Sequence, residues 1–320
     1  MKEIKITEIK GIKIGHGQDE AGGTGCTVII CEDGAAAGVD VRGSAPATRE
    51  TDLLRSVSIV EKIHAVMISG GSAYGLDACA GAMEYLEEKG IGFNTDVAVV
   101  PIVCGASLFD LAVGDPGSRP DKAMGYKACK AAGTVEPQEG NAGAGTGASV
   151  GKYFGPERSM KGGIGIHAVR IENVECAAIV VVNAIGDVFD PVTGKQIAGP
   201  LSEDKSQMLN TVSIMYEEIA TGRNIFTGNT TIGCVITNAK LTKPQCNKLA
   251  AVAQNGLAAA VRPVHTNSDG DAIFVLSTGE VEADSDGLGV LAAEVVSMAA
   301  VRGVNKAKSA YGLKAAEDFL

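Results

Sequence analysis

The chain has no tryptophan, and aromatic residues make up only 4% of its 320 positions. Forty-two glycines and many alanines stand in their place, so closely packed layers joined by tight turns are expected, because small side chains let backbones approach. No Cys-x-x-Cys pair occurs among the cysteines at positions 26, 31, 79, 104, 129, 176, 234 and 246, most of which sit in apolar stretches. That pattern reads as buried, reduced thiols in a cytoplasmic protein. No basic run occurs and the formal net charge is −10. Nucleic acid is therefore not an expected partner, since phosphate neutralisation needs clustered Lys and Arg. From Met1 to Ile14 charged and apolar residues alternate, without the apolar core of a signal segment or a spanning run of about 18 residues. No membrane partner is expected.

What is present fits a soluble globular protein, with 45% hydrophobic and 21% charged residues. β-branched runs predict strands at Cys26 to Glu32, Ala65 to Ser69, Ala177 to Asn183, Ile232 to Thr237 and Ala272 to Ser277. Helical spacing predicts helices at Leu76 to Lys89, Lys122 to Ala132, Lys205 to Ala220, Lys243 to Ala260 and Leu288 to Gly303. The mixture implies an α/β or α+β fold built in layers. Open stretches fall at Gly133 to Gly151, Asp187 to Ser206 and Thr221 to Asn229. None has the length of a flexible linker, so residues 1–320 read as one domain with functional loops.

Several segments imitate known motifs. Thr146 to Tyr153 resembles a phosphate-binding loop around Gly151-Lys152, but Thr146 replaces its first glycine and Tyr153 its magnesium-binding hydroxyl. Gly143-Ala144-Gly145-Thr146-Gly147 lacks the third glycine of a dinucleotide loop. Gly70 to Gly75 places Ser72 between a strand and a helix, as a nucleophile elbow would, with its second glycine displaced by one residue. It is equally a tight strand-to-helix turn. Asn229-Thr230-Thr231 matches a glycosylation acceptor, which carries no weight without a signal peptide. Histidines 16, 64, 167 and 265 show no metal-ligand spacing and read as surface or satisfied core residues. No metal or cofactor is expected.

One segment poses a chemical question. In Gly228-Asn229-Thr230-Thr231-Ile232 a loop ends and a strand begins abruptly at a hydroxyl residue. Many buried strands begin with Thr. A threonine hydroxyl can nevertheless attack the preceding carbonyl when that peptide bond is strained, passing the acyl group from nitrogen to oxygen before water releases it. The freed threonine then carries hydroxyl and base on one residue, its α-amine having a reference pKa of about 7.7–8.0.

Stretches along nearly the whole chain resemble the P1 peptidase family, which includes the β-aminopeptidases, the DmpA-type aminopeptidases and the nylon-oligomer hydrolases. They include Gly25-Cys26-Thr27-Val28, Gly38-Val39-Asp40-Val41-Arg42-Gly43, Thr48-Arg49-Glu50-Thr51-Asp52 and Arg119-Pro120-Asp121 with Gly125-Tyr126. Further along stand Val181-Val182-Asn183-Ala184, Asn229-Thr230-Thr231-Ile232, Arg262-Pro263-Val264-His265-Thr266 and Asp269-Gly270-Asp271.

The resemblance implies a four-layer αββα sandwich similar in architecture to the N-terminal nucleophile hydrolases, with different connectivity. It implies self-cleavage between Asn229 and Thr230 into subunits 1–229 and 230–320, and a homo-oligomer, a tetramer of such pairs. Position by position, Thr230 matches the nucleophile, Asn183 an oxyanion-side amide and Tyr126 a tyrosine near the reacting centre. Lys152 matches a lysine that orients Asn183 or favours the neutral α-amine. Asp269 and Asp271 match an acidic pair holding the Thr230 head group, on a segment expected to be exposed. Threonine with two aspartates is closer to the nylon-oligomer branch than to the β-aminopeptidases, which carry Ser and a Ser/Glu pair. The implied substrates are small peptides or ω-amino-acid oligomers such as those of 6-aminohexanoate. An aminopeptidase acting on short peptides, a Ser72 hydrolase and an unprocessed binding protein remain as alternatives.

Overall fold

The computed structural model describes residues 1–133, 135–221 and 228–319. The first half carries β1 (Lys13–Asp19), β2 (Thr24–Val41), β3 (Lys62–Ser69), α1 (Ala78–Glu88), β4 (Val103–Ser107) and α2 (Lys122–Ala131). The second half carries β5 (Gly163–Ile171), β6 (Val174–Val182), α3 (Thr211–Glu217), β7 (Ile232–Ala239), α4 (Lys243–Ala260), β8 (Ala272–Val281) and α5 (Ser285–Lys306). The strands form one mixed sheet in the order β5-β6-β7-β8-β2-β3-β4, with β1 pairing alongside β2. The fold is therefore mixed α/β.

Side chains alternate across each strand, and this splits the interior into three apolar regions. Val235, Ile273 and Val275 face α4 and α5, together with the even-numbered valines of β6. Val28, Ile30, Ala65 and Met67 face α1 and α2. Between them, Ile29, Ile68 and Cys104 meet Ile166, Ile179, Ile232 and Phe274 in a middle core built from opposite ends of the sheet. Small residues permit this closeness: a β-carbon on Gly165 would lie 2.7 Å from the Gly303 α-carbon in α5. All eight cysteines are free and buried. The long apolar helix α5 could by length and composition cross a membrane, but 67% of its most apolar window is buried in this core.

The expected strands and four of the five expected helices are present. The exception is the helix expected over Lys205 to Ala220. Asn210 caps the chain there, its side chain accepting from Ser213, so the helix spans only Thr211–Glu217. Before it, Leu201 and Met208 form a bridge. Of the loop expected at Thr221 to Asn229, residues 222–227 lie outside the described residues.

Two registers position the site. β7 and β8 run parallel with Ile232 opposite Ala272, which sets Asn229 and Thr230 beside Asp269 and Gly270 at their N-terminal ends. Helix α4 makes the crossover between them. It starts at a capping box in which Thr242 and Gln245 bond reciprocally. β6 runs antiparallel to β7 with Val181 opposite Ile232, so Asn183, just past its end, comes level with Thr230.

Candidate active site

Thr230 is 4% exposed. Its backbone N–H donates to the Asn183 carbonyl at 3.0 Å. Its hydroxyl donates to the carbonyl oxygen of Asn229, the residue before it. That same oxygen accepts the Gly270 N–H at 2.9 Å. A hydroxyl and a backbone donor thus converge on one peptide carbonyl, the donor placed where charge gathers if the carbonyl is attacked.

Asn183 is buried and its amide is bonded at both ends. Its Oδ1 accepts Lys152 Nζ at 2.8 Å and the Ser149 N–H at 3.1 Å. Its Nδ2 donates to the Phe109 carbonyl at 3.0 Å. Lys152 Nζ also donates to the Gly228 carbonyl at 3.2 Å. Burial pulls the Lys152 pKa down to about 7, against the carboxylates of Asp269, Asp110 and Asp271, which favour its charged form. A second buried lysine supports this corner. Lys161 Nζ donates to the carbonyls of Gly145, Ala148 and Gly162, each at 2.9 Å, and so ties down the loop that presents Ser149. The segment imitating a phosphate loop thus carries Lys152 inward to Asn183, and only a three-residue turn, Lys152–Phe154, follows.

The acidic pair is buried, contrary to the exposure expected of it: Asp269 is 2% exposed and Asp271 1%. Backbone pairing explains this, since Ala45 donates to the Asp269 carbonyl and Arg42 to that of Asp271, laying residues 42–45 over the turn. Burial and the neighbouring Asp271 carboxylate raise the Asp269 pKa. Neither carboxylate shows a hydrogen bond to the Thr230 hydroxyl. Asp269 Oδ2 accepts the Thr266 N–H at 2.6 Å. Asp271 Oδ1 accepts the Thr231 N–H at 2.6 Å, fixing the residue after Thr230. Its Oδ2 accepts both the backbone N–H and the ring Nδ1–H of His265, at 3.0 and 2.8 Å.

The structure thus brings together Thr230, Asn229, Asn183, Lys152, Asp269 and Asp271, and corrects one assignment. Tyr126 does not join them. It lies in the α1–α2 layer, its ring edge-on to Tyr85 and its hydroxyl donating to Glu88 at 2.7 Å. α2 turns that face toward α1, away from the ends of β6 and β7. Phe109, which the sequence did not single out, stands against the site instead. Its carbonyl engages Asn183, and a side chain at Gly228 would overlap its ring. His265, read as a bystander, is the partner of Asp271. The Arg-Pro-Val-His-Thr stretch carried that residue without indicating its role.

Beside Asn183 opens a cavity of about 220 Å³ lined by Phe109, Asp110, Ala112, Val113, Ser149, Lys152 and Pro156. Asp110 is buried at its wall, accepting from the Thr24 hydroxyl and the Gly71 N–H, with its pKa raised by burial. Ser72 follows Gly71 at φ +55°. No histidine or carboxylate among the described residues bonds its hydroxyl, so the elbow lacks a base. Among the described residues no group of three or more His, Cys, Asp or Glu is placed to hold a metal ion.

The site thus gathers a buried hydroxyl, a carbonyl with a backbone donor and an amide–lysine pair, groups that amide chemistry can use, and comparison with known proteins gives the class. Residues 5–317 match the model of peptidase family S58, and the chain belongs to that family of peptide and amide hydrolases. An uncharacterised aminopeptidase of Mycobacterium leprae is 42% identical over 294 residues, covering 87% of this chain and 79% of the relative. A 6-aminohexanoate-oligomer endohydrolase of an Agromyces species is 31% identical over 283 residues, covering 88% and 77%. Among solved structures, a Burkholderia β-aminopeptidase superposes with a TM-score of 0.70 at 20% identity, covering 95% of this chain and 86% of that one. The L-aminopeptidase D-Ala-esterase/amidase of Ochrobactrum anthropi, described as a variant of the Ntn hydrolase fold, gives 0.71 at 18% identity with the same coverage.

Proposed function

We propose that this hydrolase is made as a precursor that cuts itself between Asn229 and Thr230, and that Thr230 is then its N-terminal nucleophile. The observation that carries this reading is the convergence on the Asn229 carbonyl. The Thr230 hydroxyl touches it, and Gly270 N–H donates to its oxygen at 2.9 Å. Thr230 Oγ1 adds to the carbonyl carbon and the C–N bond to Thr230 breaks. The nitrogen takes up the hydroxyl proton, leaving an ester. Water then releases Asn229 as a carboxylate and leaves Thr230 with a free α-amine. In turnover that amine accepts the hydroxyl proton and passes it to the departing amine of the substrate. Asn183 steadies the developing oxyanion, Lys152 holds Asn183, and Asp271 holds Thr231 beside the nucleophile. Asp269 lends negative charge next to Lys152.

The substrates are amides of small peptides or ω-amino-acid oligomers. The three apolar regions support the αββα layering as the architecture of one domain, cut into 1–229 and 230–320 and assembled as a homo-oligomer of these pairs. The test is a panel of amides offered to wild type, Thr230→Ser and Thr230→Ala. Hydrolysis by the first two and none by the third supports the reading. Undiminished hydrolysis by Thr230→Ala contradicts it.

A further inference from the structure

We infer that Lys161 is a positioning residue that sets Asn183 through a single peptide group, which rests on Asn183 being the oxyanion donor of the proposed hydrolysis. Two buried lysines then act on one amide, Lys152 directly and Lys161 at one remove.

Lys161 touches none of the reacting groups. It is fully buried, and its Nζ donates to the carbonyls of Gly145, Ala148 and Gly162, each at 2.9 Å. Burial pulls its pKa down, and the Asp110 carboxylate opposes this. The three carbonyls oppose it further. An ammonium has an N–H for each of them, whereas a neutral amine has only two. The lysine therefore sits among them as a cation.

The Ala148 carbonyl and the Ser149 N–H belong to one peptide group. Its oxygen accepts from Lys161 Nζ and from the Gly162 N–H, both at 2.9 Å. Its N–H donates to Asn183 Oδ1 at 3.1 Å. In a trans peptide these two groups point to opposite sides, so the lysine and the amide face each other across one plane. A cation on the oxygen draws electron density from the nitrogen and makes the N–H a stronger donor. Asn183 Oδ1 also accepts Lys152 Nζ at 2.8 Å, while Nδ2 donates to the Phe109 carbonyl. With two donors on Oδ1 and an acceptor on Nδ2, the amide cannot turn over. It is also polarised, which strengthens the second N–H of Nδ2 as an oxyanion donor. Packing holds this loop weakly, since Gly143 to Ala148 carries no side chain larger than Thr146. Lys161 supplies both the anchor and the charge.

The test measures kcat and KM per cleaved chain on the amide that wild type hydrolyses fastest among free-amine dipeptide anilides and 6-aminohexanoate oligomers. Lys161→Met should lower kcat about tenfold, less than the loss of about 10²–10³ for a direct oxyanion donor. KM should stay within about twofold, because ground-state binding is untouched. Lys161→Gln keeps two donors without the charge and should behave alike, and it serves where Met disrupts folding. In an Asn183→Ala background Lys161→Met should cost nothing further, its route to the oxyanion being gone. The Ser149 amide proton, followed by NMR, should move upfield in both Lys161 variants as its hydrogen bond weakens. An unmoved Ser149 resonance, an unchanged kcat in a folded Lys161 variant, or a full cost in the Asn183→Ala background overturns the inference and leaves the amidohydrolase reading standing. An Asn183→Ala enzyme with wild-type kcat removes the oxyanion donor and the inference with it. A wild type that hydrolyses none of the amides overturns the proposed function itself.

Discussion

The Gly270 N–H and the Asn229 carbonyl oxygen lie 2.9 Å apart, and the Thr230 hydroxyl rests against that same carbonyl. A β-carbon on Gly270 would fall 2.8 Å from Thr230 Oγ1 and 2.7 Å from the Ala45 carbonyl oxygen. Gly270→Ala should therefore displace the hydroxyl and slow self-cleavage by roughly 10²-fold, the usual effect of misplacing a reacting group by about 1 Å. A gel time course on newly synthesised protein measures this. Processing at the wild-type rate would remove Gly270 from the account.

Lys152 supplies a pH dependence that the precursor alone can report, because no α-amine is free before cleavage. Burial favours its neutral form, so its charge is present below about 7 and lost above. If that charge supports the oxyanion, self-cleavage should slow as pH rises through 7. Lys152→Arg should keep the rate level across this range, and Lys152→Met should be slow throughout. A rate that rises through 7 in wild type would assign Lys152 as a base.

Asn183→Ala removes an amide that holds Lys152, Ser149 and Phe109. Normalised to cleaved enzyme, kcat should fall by about 10²–10³, the loss expected for one oxyanion donor. Steady-state kinetics with the cleaved fraction read from the same gel checks it.

Asp271→Ala strips an acceptor from the Thr231 N–H and from two donors of His265. Leaving buried donors unpaired costs about 1–3 kcal/mol. Denaturant unfolding should show that loss together with impaired processing. His265→Ala should reproduce part of the stability loss while keeping the Thr231 contact.

Much of the fold is legible in the sequence because it rests on local signals. The valine and isoleucine runs of β6, β7 and β8 mark their strands, and Thr242 with Gln245 opens α4 at the expected residue. β4 was not legible, since Val-Cys-Gly-Ala-Ser is too short and glycine-rich to stand out. Asn183 and Thr230 sit at strand ends, where a capping Asn and a strand-opening Thr are ordinary, and only the family resemblance singled them out. Asp269 and Asp271 read as a solvated turn because the covering residues 42–45 are remote in sequence. Phe109 and His265 act through a carbonyl and a buried carboxylate, contacts that no spacing announces. Tyr126 was placed at the site by the resemblance alone, and its helical spacing, which reads as packing, agrees with its contacts to Tyr85 and Glu88.

Self-cleavage at Thr230 is tested most directly by the N-terminal sequence of the purified protein's small fragment. Fragments 1–229 and 230–320 are expected, of roughly 23 and 9 kDa by proportion from 32.6 kDa. The smaller should begin Thr-Thr-Ile-Gly. An active sample that remains a single chain, or whose small fragment begins at any other residue, would contradict it.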